Sequence, residues 1–173
     1  MNDSLQQLLD YLDSLAARAD LQALRSHMER LRISRNDLKG AARFCNEHYQ
    51  RNLVRRSRWY EAVALCWKPG QSTPIHDHKG SSCCFRVIEG AGYEIGYEQN
   101  DDGVLVRMHE RDLPLHQICA SQDADIHEVG NPTDSGAPMI TLHIYSPPMT
   151  TINRYTEGSA EVVTEELSAE PAG

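Results

Sequence analysis

Apolar residues recur at intervals of three and four through the first third of the chain, after which the interval drops to two. Leu5, Leu8, Leu9, Leu12 and Leu15 follow Asp3 and Ser4, which are candidate caps, and predict an amphipathic helix. Leu21, Leu24, Met28 and Leu31 repeat the pattern in a second helix. Ser34, with Asp37 three residues later, is a capping box that predicts a third helix running through about Glu47. From Trp59 onward Val63, Leu65 and Trp67 alternate with smaller residues, the period of a strand. Further strands are predicted over 84–88 and 93–97. Asn100-Asp101-Asp102-Gly103 is a turn that joins 94–99 to 104–110 as a hairpin. Residues 117–120, 126–129 and 139–145 complete the set. Many short strands separated by Gly and Pro turns predict an all-β jelly roll or barrel, preceded by about three α-helices.

At 173 residues the chain is long enough for one domain with a substantial core. Residues 1–156 are read as that domain, helical over 1–48 and a barrel over 59–148. Residues 157–173, acidic and poor in large apolar side chains, are read as a mobile tail. The formal net charge is −8, and no run of Lys and Arg is interleaved with aromatic residues, which argues against a nucleic-acid partner. Arg51, Arg55, Arg56 and Arg58 make one locally basic segment, in which the last three fit a solvated turn better than an anion patch. No stretch approaches ~20 apolar residues, so no membrane span is expected. The opening Met-Asn-Asp-Ser lacks a basic-then-apolar leader, and the protein is expected in the cytoplasm as a monomer. Five cysteines, an odd number without paired spacing, suit reduced thiols better than a disulfide framework.

Candidate chemistry centres on histidine. In an extended strand His76 and His78 share a face while Asp77 points away, and His127 is a candidate to close the group as a facial triad; ordinary surface or core histidines are the alternative that spacing alone leaves open. Neutral imidazoles suit first-row transition metals, and three protein ligands leave coordination positions open for chemistry. His27 and His48, on the helical part, have no ligand partner at useful spacing and are read as surface residues.

Around these histidines runs the frame Gly70, five residues, His76-Asp77-His78, four residues, Cys83, six residues, Gly90. It resembles the first motif of the cupins, with Cys83 where a typical cupin has a Glu ligand. Of the second motif only His127, three residues and Asn131 remain, without the Pro and Gly upstream. Among cupins, loss of the carboxylate resembles the cysteine dioxygenase family. Tyr49-Gln50-Arg51-Asn52-Leu53-Val54 resembles that family's Tyr-x-Arg-Asn-Leu-Val segment. Leu65-Cys66-Trp67 leading into Ile75-His76-Asp77-His78 fits it as well. Thr141-Leu142-His143-Ile144-Tyr145-Ser146-Pro147-Pro148 resembles its Ser-x-His-x-Tyr-Ser-Pro-Pro signature. Four separated motifs in order cover about 49–148.

The resemblance implies one Fe(II) per chain on His76, His78 and His127. It further implies L-cysteine and O2 as substrates and cysteine sulfinic acid as product, the sulfinic rung of thiol oxidation. Arg51 would read the substrate carboxylate with Tyr49 assisting, because a guanidinium offers a planar fork for it. Taken alone, an Arg is more commonly a surface ion-pair partner. The resemblance also implies a thioether between Cys83 and Tyr145, with Cys84 turned to the opposite face. Tyr145 would sit at the site through His143, backed by Thr141 and Trp67, with a cis Ser146–Pro147 peptide. Thr141 replaces the usual Ser, Ser82 stands where many relatives have His, and Ile152 lies near a Cys of animal relatives. Two rivals share parts of the pattern. A dioxygenase for 3-mercaptopropionate or another small thiol would keep every iron ligand but tends to carry Gln in the Arg51 role. A non-oxidising metal-binding cupin would usually keep the Glu and has no need of His143 with Tyr145.

Overall fold

The computed structural model describes residues 2–123 and 125–167. In α1 (Asp3–Asp13) Leu5, Leu8, Leu9 and Leu12 fall on one face and are buried, as Leu24 and Met28 are in α2 (Leu21–Arg30). Asn2, one residue before the expected caps, accepts from the Ser4 amide, and Asp20 caps α2 through the Ala23 amide. The third helix departs from expectation. Asp37 does accept from the Ser34 amide and hydroxyl, but the chain there forms a 3-10 segment, Arg35–Ala41, broken at Lys39, where φ is 50°. Only Leu38 and Ala41 are buried in it, too small an apolar face to dock a full helix against the body of the protein.

Eleven strands come after it among the described residues: β1 (Gln50–Arg56), β2 (Glu61–Trp67), β3 (Ile75–His76), β4 (Ser82–Glu89), β5 (Gly92–Gln99), β6 (Leu105–Leu113), β7 (Ile118–Gln122), β8 (Ile126–Gly130), β9 (Met139–Ser146), β10 (Thr151–Tyr155) and β11 (Val162–Glu166). One antiparallel sheet has the order β1-β2-β9-β4-β7, the other β11-β10-β3-β8-β5-β6. Neither sheet closes on itself, so the expected barrel is instead a pair of open sheets sharing a core. The mostly β architecture and the helical start agree with the sequence pattern. β1 occupies part of the basic segment read as a turn, because its Leu53 and the stem of Arg51 turn inward. β11 forms where a mobile tail is expected, laddered to β10 from Thr151↔Glu166 to Tyr155↔Val162. Residues 168–173 of that expected tail lie outside the described residues.

The five-stranded sheet is buried on both faces, which explains why β2 and β9 read as unbroken buried runs. Ala62, Ala64, Cys66, Cys84, Ile140, Leu142 and Ile144 meet the leucines of α1 and α2 on the outer face. Their neighbours Val63, Leu65, Trp67, Cys83, Phe85, Met139 and Tyr145 face the second sheet. Period-two alternation therefore sorts each strand into a helix-facing half and a site-facing half. Arg86 on the helix-facing side donates to the Met28 carbonyl near the C-terminal end of α2, where cations suit the exposed carbonyls. At Gly90 the chain turns with φ at +73°, and a Cβ there would collide with the Pro138 carbonyl, which accounts for the glycine closing the histidine frame.

Candidate metal centre

β3 pairs with β8 so that His76 lies directly opposite His127. The continuous strand expected through His78 is absent: β3 ends at His76. Asp77 turns outward, its carboxylate accepting from the Asn153 amide (3.2 Å), the Asn153 side chain (2.9 Å) and the Tyr155 hydroxyl (2.8 Å). Anchored this way, the segment delivers His78 beside the other two rings without a ladder of its own. Ring centroids are 4.8 Å apart for His76–His127 and His78–His127, and 5.4 Å for His76–His78. All three side chains are buried, and one ligand atom from each lies within 4.8 Å of the others.

Each ring has its Nδ1 occupied from behind. His76 Nδ1 is 2.9 Å from the Pro74 carbonyl, His127 Nδ1 is 2.7 Å from Glu94, and His78 Nδ1 lies 3.4 Å from the Ser121 hydroxyl. That leaves Nε2 of each as the nitrogen for a metal, the arrangement that fixes ring orientation and tautomer in metal sites. His78 Nε2 is buried with no hydrogen-bond partner, an orphan that a cation would satisfy. Burial, then the charge of His127, lowers the His76 pKa to about 3, and burial likewise holds His78 well below its ordinary value. Both imidazoles are therefore neutral at pH 7 and present lone pairs. The residues fit a transition-metal ion. Glu94, Asp125 and His127 also approach one another, but Glu94 is already bridged to the Arg111 guanidinium, so a side-chain cation fills that place.

Thr141, His143 and Tyr145 lie two apart on the inward face of β9 and form a line of hydrogen bonds. Tyr145 Oη is 3.1 Å from His143 Nδ1, and His143 Nε2 is 2.9 Å from Thr141 Oγ1. The Trp67 indole N–H donates to Thr141 Oγ1 at 3.0 Å, and Tyr49 stacks on Trp67 at 4.7 Å. Cys83 stands directly across the β4–β9 ladder from Tyr145, whereas Cys84 packs on the helix side. All five cysteines are free thiols. Burial, with Cys84 adding to it, raises the Cys83 thiol well above its ordinary pKa. The Ser146–Pro147 peptide is cis.

Arg51, on β1, lines the same cavity as His76, His127, His143 and Tyr145. Its Cζ lies 5.6 Å from the centre of the Tyr145 ring. It is 12% exposed and paired through Nη2 with Glu61, 2.9 Å away and 1% exposed. The Arg51 Nε is buried and without a partner. Burial holds the Glu61 carboxyl above its ordinary pKa against the pull of Arg51 and Arg56. The remaining histidines of the helical part stay apart from this group: His27 stacks on Tyr11, and His48 is exposed.

Two buried acids escape a motif-based reading. Glu94 sits on the inward parity of β5, with Gly92 and Gly96 two positions to either side and Gly96 directly opposite His127. A charge between two glycines on an otherwise buried face is the signal that marks it. Glu61 heads the all-buried strand β2 beside the arginines of β1, and its signal is an acid opening an apolar run.

Over residues 1–158 the chain matches the family model described as cysteine dioxygenase type I. It is 30% identical over 120 residues to cysteine dioxygenase type 1 of Rattus norvegicus and of Homo sapiens, covering 67% of this chain and 60% of theirs. The chain thus aligns with about three-fifths of the length of those relatives. Danio rerio cysteine dioxygenase type 1 is 28% identical over 134 residues, covering 75% of this chain and 66% of its own. Among solved structures, TT1209 from Thermus thermophilus superposes with a TM-score of 0.54 at 24% identity, covering 65% of this chain and 95% of that one. BH2720 from Bacillus halodurans reaches a TM-score of 0.51 at 16% identity, covering 74% and 83%. These two likenesses concern the fold alone.

Proposed function

Since this chain belongs to the cysteine dioxygenase type I family, we propose that it is an L-cysteine dioxygenase that holds one Fe(II) on His76, His78 and His127. The reaction joins one thiol to one O2 and gives cysteine sulfinic acid, with both oxygen atoms ending on sulfur. The observation that carries the reading is the trio of buried imidazoles, each held by its Nδ1, with an orphaned Nε2 on His78. Iron bound there supplies the redox chemistry between O2 and the thiol.

The protein's own groups do the rest. Arg51 receives the substrate carboxylate, and its buried, unpartnered Nε–H is a donor free for that purpose. Tyr49, just ahead of β1, lines the same cavity and stacks on Trp67. Tyr145 directs its hydroxyl by way of His143, whose ring Thr141 and Trp67 hold in place. The hydroxyl is poised to donate a hydrogen bond to a reacting group, and burial keeps it protonated by raising its pKa well above the ordinary value. Leu65, Val129, Met149 and Ile152 wall the cavity and exclude water from the thiol. Cys83 and Tyr145 are ladder partners, which supports a thioether between them: an S–H and a ring C–H would be lost, an S–C bond would form, and O2 would take the two electrons and two protons. A peptide joining Cys83 to Tyr145, lighter by two hydrogens, is the expected mass-spectrometric signature.

The test is oxygen uptake by the Fe(II)-loaded protein, offered L-cysteine and 3-mercaptopropionate side by side. Faster uptake with L-cysteine, yielding the sulfinate, supports the reading. Preference for 3-mercaptopropionate keeps the iron chemistry and replaces the substrate. Silence with both refutes thiol oxygenation.

A further inference from the structure

A guanidinium meant for a ligand's carboxylate does not ordinarily come with a buried carboxylate of the protein already on it. Here Arg51 Nη2 is 2.9 Å from Glu61, and Glu61 has almost no exposure to water. The arrangement follows from the ladders. Arg56 is the cross-strand partner of Glu61 on one side and Tyr145 on the other, so the acid sits between the basic strand and the site tyrosine. Arg56 is half exposed, with Nε 4.0 Å from the second Glu61 oxygen. Arg51 and Glu61 largely cancel, and Arg56 leaves the trio with one net positive charge at the edge of the cavity. A ligand carboxylate reaching Arg51 must share its charge with Glu61.

We propose that Glu61 is a specificity-setting, positioning residue of the carboxylate subsite: it holds Arg51 beside Tyr145 and competes with the ligand's carboxylate for that guanidinium. This rests on the thiol dioxygenase reading above and deepens it. The consequence is a sign. Removing the Glu61 charge while keeping its shape strengthens binding of carboxylate-bearing thiols. It does not strengthen binding of cysteamine, which has an amine and no carboxylate. Simple damage to the pocket weakens every ligand and cannot produce an improvement confined to one class.

The experiment uses Fe(II)-loaded protein without oxygen, titrated calorimetrically with L-cysteine, 3-mercaptopropionate and cysteamine, followed by steady-state oxygen uptake. For Glu61→Gln the expected result is about tenfold tighter L-cysteine binding, with a matching fall in KM, a smaller change in kcat, and cysteamine binding no tighter. Arg56→Gln, at a half-exposed site that tolerates substitution, leaves Glu61 wholly to Arg51 and should weaken L-cysteine binding several-fold. L-cysteine binding unchanged or weaker in a folded Glu61→Gln overturns the proposal. So does an unchanged affinity in Arg56→Gln where Glu61→Gln fails to fold. Wild-type turnover of L-cysteine alongside either result confines the failure to Glu61. Wild-type protein that neither binds nor oxidises any of the three thiols brings down both readings.

Discussion

Glu94 holds the back of His127, and removing it should loosen the proposed iron without touching a proposed ligand. The His127 Nδ1–Glu94 contact is 2.7 Å, both side chains are buried, and the carboxylate is also bridged to Arg111. Burial pushes the Glu94 pKa up, but the hydrogen bond and charge of His127, with help from Arg111, outweigh it and hold the group below its ordinary value. A hydrogen bond to a charged group contributes about 1.5–3 kcal/mol, and a neutral one roughly half as much. At about 1.4 kcal/mol per tenfold, Glu94→Ala should weaken iron binding by roughly 10- to 100-fold. Glu94→Gln keeps an acceptor for Nδ1–H and should weaken it by only about tenfold. Arg111 is half exposed and can return to water, so losing its partner adds little. The assay is Fe(II) retention against a graded chelator, read as bound metal and independent of turnover. An Ala variant that keeps iron as tightly as the wild type refutes the reasoning, as does a Gln variant weaker than the Ala variant.

Three further outcomes rest on the same geometry. His127→Ala should leave the protein folded but without bound iron, measured by metal analysis; full occupancy would remove His127 from the ligand set. Arg51→Gln should raise KM for L-cysteine with iron content unchanged, and joint loss of both would make Arg51 a structural residue. Tyr60 is fully buried, and burial followed by its hydrogen bond to Asp13 raises its hydroxyl pKa above the ordinary 10. The folded state therefore prefers the protonated phenol. That contribution is complete below about pH 10 and is lost as pH rises toward the folded-state value. Tyr60→Phe should cost about 1 kcal/mol at pH 8 and flatten the decline in stability above pH 10, checked by urea unfolding at both pH values.

The residues of the candidate site are legible in the chain because their chemistry comes in linear motifs. His76 and His78 are two apart, Thr141, His143 and Tyr145 alternate on one strand, and Cys83 falls on the parity opposite Cys84. Alternation is a local property of extended backbone, so spacing alone assigns faces. Spacing carries less far where the backbone departs from regular structure. β3 is too short to hold His78, which reaches the group because Asp77 is tied to Asn153 and Tyr155 on β10. The third helix stops at Ala41 because its apolar face is too small, a matter of docking and not of capping.

Motif resemblance pointed to the histidines, cysteine and tyrosine that share the interior, while the order of apolar positions by itself determined that two helices precede a β fold and where most strands lie. Those are consequences of period and spacing, which act within one element. Tertiary structure alone decided that the sheets stay open, that the basic segment becomes edge strand β1, and that β11 extends the sheet beyond β10. It also placed Glu94 behind His127 and Glu61 against Arg51, pairs separated by 33 and 10 residues. Neither acid belongs to a motif. A buried carboxylate is tolerated only where the fold brings a donor to it, and that donor comes from another strand.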